Sequence, residues 1–95
     1  MAVIWRINPI AYLYWRQWEE GCILFNASAA QTHLLNELVT TVLKLLQQAP
    51  CSMIDLSEHL ATYFDIDWDH AAVQTYLQSV LNELDELGLI EPYIP

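Results

Sequence analysis

The stretch from Gln31 to Leu46, QTHLLNELVTTVLKLL, constrains the fold most, because it carries a short extended segment directly into a helix. Gln31 to Leu35 is too short to be stable alone and needs partner strands. Asn36 has the short polar side chain that caps the free N–H groups of a first helical turn. Glu37 then sets negative charge where the helix dipole favours it, and Val39, Val42, Leu43, Leu45 and Leu46 supply an apolar face. Strands are expected before Asn36 and helices after it.

Upstream, Met1 to Pro9 mixes Val3, Ile4, Trp5 and Ile7 with Arg6 and reaches Pro9, which biases Asn8 toward an extended conformation, so an N-terminal arm is expected over residues 1–10. Ala11 to Trp18, AYLYWRQW, is rich in the aromatics that strands favour. Leu13 and Trp15 fall on one face, Tyr12, Tyr14 and Trp18 on the other, so the strand is covered twice or offers one face to a partner. Glu19-Glu20-Gly21 has the length of a three-residue hairpin loop with Gly21 in the left-handed position, and Cys22 to Phe25 follows as the second strand. After a looser connection over Asn26 to Ala30, Gln31 to Leu35 completes an antiparallel meander over residues 11–35. If order in space follows order in sequence, that third strand lies at an edge with one row of backbone groups unpaired.

Residues 36–90 are expected to form three helices and a short wing. Pro50 ends the first helix. Ser52 with Asp55 three positions on resembles a capping box and starts the second, with Ile54, Leu56, Leu60, Tyr63 and Phe64 as its apolar positions. Asp67 or Asp69 caps the third, whose Val73, Tyr76, Leu77, Val80, Leu81, Leu84 and Leu87 form the longest periodic run. These side chains cover about 140° of its circumference at about 100° per residue, with Tyr76 and Leu81 at opposite borders of the arc. Gly88 stops the helix, and Leu89-Ile90 closes the chain as a short strand or wing. The fold class is α+β, winged helix-turn-helix-like, with a three-stranded antiparallel sheet followed by three helices, in one domain over residues 1–95.

Charge narrows the partners. Twelve carboxylates stand against Arg6, Arg16 and Lys44, a formal net charge of −9. That balance repels the phosphate backbone that basic side chains would have to neutralise. No run reaches the roughly eighteen apolar residues of a membrane span, and the N-terminus lacks the pattern of a signal peptide, so a cytoplasmic protein is expected. With 55% apolar residues, four Trp and five Tyr, part of the aromatic surface should stay exposed, where partners bind. Cys22 and Cys51, with His33, His59 and His70, show no metal or nucleophile spacing, so neither cofactor nor enzyme activity is expected. Asp65, Asp67 and Asp69 alternate like a calcium loop but lack its Gly and closing Glu, and capping explains them. Glu83, Asp85, Glu86 and Glu91 could attract a basic peptide or partner, but such a run is more often the solvated face of a helix, which is the reading taken.

Trp5-Arg6-Ile7-Asn8-Pro9, then Tyr14-Trp15-Arg16-Gln17-Trp18-Glu19-Glu20, and Thr32-His33-Leu34-Leu35-Asn36 leading into Val42-Leu43-Lys44-Leu45-Leu46, resemble the small PqqD-family peptide chaperones, also known as RiPP recognition elements. The likeness runs from Trp5 to Glu91 and is nearest the branch linked to HPr-related kinase-like gene systems. Two departures stand out: the Asn26 to Gln31 loop lacks that branch's Pro and Gly, and Val39 replaces a commonly small residue.

The resemblance implies a non-catalytic module that takes the leader of a ribosomally made precursor peptide as an added strand and presents it to a modifying enzyme. Carried over, the edge would be Gln31, Thr32, His33, Leu34 and Leu35, and the facing helix would contribute Val73, Tyr76, Leu77 and Val80. Tyr76 is the preferred anchor, since it borders the stripe and has a polar tip. A winged-helix DNA-binding regulator and a structural dimerisation domain are the alternatives, and a homodimer is compatible with peptide binding as well.

Overall fold

The structure is a computed structural model that describes residues 3–18, 21–64 and 70–94, the side chains of Trp18, His70 and Ala71 excepted. The elements run β1 (Ile4–Ile7), β2 (Leu13–Trp18), β3 (Gly21–Asn26), β4 (Gln31–Leu35), α1 (Glu37–Gln48), β5 (Cys51–Ser52), α2 (Met53–Phe64), α3 (His70–Glu86) and β6 (Ile90–Tyr93). The chain is α+β, with an antiparallel three-stranded meander β2-β3-β4 leading into three helices. The capping residues expected for α3, Asp67 and Asp69, lie outside the described residues.

The segment read as an arm is instead the middle strand of a second sheet, ordered β5-β1-β6 and antiparallel throughout. Trp5 pairs across it with Cys51 on one side and Pro92 on the other. No local pattern announces such a strand, because both its partners lie far along the chain. Trp5 is buried there, and its sheet joins the core of Leu43, Leu56, Leu60, Leu77, Leu81 and Leu89. α1 packs on β1 and α2, α2 on α3, and α3 on β6.

Local chemistry sets the boundaries. Asn36 caps α1, its side-chain oxygen accepting from the Val39 amide at 2.9 Å. The Ser52 hydroxyl accepts from the Asp55 amide at 3.2 Å at the start of α2. Beyond α3, Gly88 has φ 78, its amide donates to Asp85 O and the Leu89 amide to Leu84 O, the paired bonds of a Schellman cap. Leu84 and Leu89, which that cap draws together, are both buried.

Gly21 serves a different purpose from the one expected. Trp18 pairs with Gly21, so this glycine opens β3 and is no part of the connection before it. Its φ is 158, and a Cβ there would lie 2.0 Å from the Leu35 carbonyl oxygen. Glycine is required where the end of β4 presses against the start of β3. In the second connection, Ala30 takes a left-handed φ of 53 without being glycine. Around it, Asn26 Oδ1 accepts from the Ser28 amide, and the Ser28 hydroxyl donates to the Ile10 carbonyl and accepts from the Tyr12 amide. This clasp ties the loop to the chain entering β2.

Candidate functional site: an open strand edge beside a helix

The meander has two unlike faces. Leu13, Trp15, Cys22, Leu24 and Leu35 alternate inward, where Leu24 is fully buried and Trp15 half-buried. Tyr14, Phe25 and Leu34 alternate outward and stay 60%, 40% and 68% exposed. Tyr14 and Phe25 are cross-strand partners with ring centroids 6.4 Å apart.

Which backbone groups of β4 are free follows from the ladder. The Ala27 amide donates to the Tyr12 carbonyl at 2.8 Å, extending the β2–β3 register by one pair beyond Leu13 and Asn26. Hydrogen-bonded pairs alternate in an antiparallel ladder, so Phe25, Ile23 and Gly21 also point their amides and carbonyls at β2. Cys22, Leu24 and Asn26 therefore turn theirs to β4, where they oppose Leu35, His33 and Gln31. Thr32 and Leu34 are left with N–H and C=O directed away from the sheet. Among the described residues no strand pairs with that side of β4.

Alongside this edge runs a groove of about 440 Å³, walled by β4 and the head of α1 on one side and by α3 on the other. Thr32, His33, Leu34, Leu35, Asn36 and Val39 form the first wall. Tyr76, Ser79, Val80, Glu83, Leu84 and Leu87 form the second. Of the nine residues read from the sequence as peptide-contacting, six line this groove: Thr32, His33, Leu34, Leu35, Tyr76 and Val80. Gln31 is an exposed strand residue outside the lining, at the far end of β4.

Val73 and Leu77 are placed differently from the expectation. Val73 is buried, Leu77 is wholly so, and both belong to the core and not to the groove wall. The reason is one of phase. Val73, Leu77, Leu81 and Leu84 make the inward stripe of α3, whereas Tyr76, Val80, Glu83 and Leu87 follow the i, i+4, i+7, i+11 rule about one residue behind it. Val80 and Leu84 border both. Tyr76 remains 45% exposed. Ser79, Glu83 and Leu87 were not anticipated as groove residues; that second stripe was the signal available for Glu83 and Leu87, and Ser79 adjoins it three positions after Tyr76.

The groove's walls mix apolar side chains with the polar groups of Thr32, His33, Asn36, Tyr76, Ser79 and Glu83. His33 Nε2 is buried without a hydrogen-bond partner, an arrangement that costs about 1–3 kcal/mol in an otherwise satisfied interior. Glu83 is exposed on the crest of α3 and has no ion-pair partner among the described residues. A larger but shallower depression of about 660 Å³ lies on the opposite flank of α3, beside Met53, Gln74 and Gln78, away from the open strand, and meets the groove at Ser79 and Glu83.

The nucleophile candidates are poorly placed. Cys22 is buried, with its thiol against Gln17 Oε1 at 3.4 Å. Burial, and then the charge of Asp55, push the Cys51 thiol above its usual range, which lowers its thiolate fraction. Among the described residues, no three His, Cys, Asp or Glu side chains are grouped so as to hold a metal ion. No helix among them is long and apolar enough to cross a membrane.

No protein-family model matches the chain, and no curated protein sequence is similar to it. A solved structure described as TbiB1 in complex with the TbiA(beta) leader peptide superposes with a TM-score of 0.75. The match covers 95% of this chain and 99% of that one at 14% sequence identity. The two chains share a fold.

Proposed function

We propose that this chain is a non-catalytic peptide-binding module that captures the leader of a ribosomally made precursor peptide by strand addition and presents it to a separate modifying enzyme. The observation that carries the proposal is the outward N–H and C=O of Thr32 and Leu34 above a groove bounded by α3. A visiting strand gains main-chain hydrogen bonds from such an edge, and its alternate side chains enter the groove, where apolar walls confer specificity. The shared fold with a protein solved in complex with a leader peptide supports this reading, as does the sequence resemblance to PqqD-family chaperones of the HPr-related branch.

In this role Thr32 and Leu34 supply the backbone ladder. Leu35, Val39, Val80 and Leu84 receive apolar side chains, and the half-exposed Tyr76 adds its ring to the α3 wall. The net charge of −9 disfavours nucleic acid at this surface. The leader encoded by a short open reading frame next to this gene is the ligand to use. Titrated into the labelled protein, it should shift the Thr32 and Leu34 amides together with Tyr76 and Val80; saturation with no change along β4 refutes strand addition.

A second copy of the chain is the competing occupant of the same edge, since the outward face of Tyr14, Phe25 and Leu34 is apolar enough to associate. Light scattering across a dilution series separates the two. A dimer that persists at every concentration and excludes peptide favours self-pairing.

A further inference from the structure

Resting on the peptide-binding reading above, we infer that the segment taken by the β4–α3 groove is cationic, with a Lys or Arg that enters beside Glu83 and apolar residues at neighbouring inward positions.

Two independent observations lead here. The first is the groove's lining, which holds Glu83 and neither Lys nor Arg, its one imidazole, His33, lying on the opposite wall. The chain's three cations are all committed or distant. Arg6 pairs with Glu91 at 2.6 Å and lies 4.5 Å from the Tyr93 ring centroid. Lys44 sits 5.7 Å from the Trp15 ring centroid, and Arg16 is on β2, separated from β4 by β3.

The second is the electrostatics of α3 itself. Its final turn contains Glu83, Asp85 and Glu86 and no basic residue. The C-terminal end of a helix carries partial negative charge, so carboxylates there are unfavourable and a cation is stabilised. Nothing among the described residues supplies that cation. A ligand can.

Geometry selects the long side chains. A strand laid along β4 turns every second residue inward, about 6.5–7 Å apart. From there a Lys or Arg stem crosses the apolar surface of Val80 and Leu87 before its head reaches the carboxylate on the helix crest. Such side chains commonly bury the stem and keep the charge at the rim. Neighbouring inward residues meet Leu35, Val39 and Leu84 and are apolar.

A phage-displayed library of short random peptides, selected in parallel on the wild-type protein, on Glu83→Lys and on Thr32→Pro, tests this. Expected are peptides of alternating pattern with Lys or Arg enriched at one inward position on wild type, replaced by Asp or Glu on Glu83→Lys, and no enrichment on Thr32→Pro. A synthetic copy of the best binder should lose roughly two- to fivefold in affinity on Glu83→Gln, and should weaken with added salt, since the pair is at the surface. Peptides that need Thr32 but show no cationic preference, or an acidic one, overturn this inference and leave strand addition intact. An empty selection, or binders indifferent to Thr32→Pro, overturns both.

Discussion

The molecule contains two three-stranded antiparallel sheets, and they treat their borders in opposite ways. In β5-β1-β6 one flank is a strand of two residues, and the other carries Pro92, which has no amide to offer. Arg6 straps β1 to β6 through Glu91 and Tyr93, and Trp5 is buried at the centre. In β2-β3-β4 the strands have five or six residues and no proline, and the outward face displays Tyr14, Phe25 and Leu34. Short flanks and proline are how proteins discourage unwanted pairing, and the second sheet has neither safeguard along β4.

The contrast is sharpest for aromatic truncation. Trp5→Ala should cost about 3–5 kcal/mol by thermal or urea unfolding, as expected of a buried aromatic, whereas Tyr14→Ala on the open sheet should cost under about 1 kcal/mol. Similar losses from both would mean that the outward face of the meander is covered. Gly21→Ala comes next. The added methyl meets the Leu35 carbonyl at a backbone angle that side chains avoid, and a loss of about 2 kcal/mol or more in unfolding free energy is expected.

Thr32→Pro removes one outward amide while leaving the inward ladder of β4 in place. Peptide affinity should fall at least tenfold, about 1.4 kcal/mol, with a much smaller change in melting temperature. Unchanged affinity would place the peptide elsewhere. Arg6→Ala, in the closed sheet, is expected to cost less than about 1 kcal/mol because the ion pair is only partly sheltered, and to leave peptide binding alone. Circular dichroism melts and a fluorescence titration read both quantities.

What could be read from the chain followed the range of the physics involved. The Asn36 cap, the hairpins and the Gly88 stop depend on neighbours a few residues apart, and each is visible as a local pattern. β1 was not, since Ile4–Ile7 becomes a strand only through residues near positions 51 and 91. The α3 stripe was recognised, but periodicity alone did not separate the side chains that face the core from those one position behind that face the groove. Val73 and Leu77 fell on the wrong side of that division. Glu83 was read as solvated surface because an exposed carboxylate near a helix end looks that way until the facing wall is known.

Pairing of Ile4 with Tyr93 and of Ile7 with Ile90 also bears on how the molecule assembles during translation. The meander and α1 draw on nearby residues and can take shape while synthesis continues, whereas β1 must wait for a partner made at the far end of the chain. Until Tyr93 leaves the ribosome, Trp5 has no finished sheet to sit in. A nascent intermediate with its edge already formed and an unsealed core is therefore the species most exposed to premature pairing, and the one a cell would have the most reason to shield.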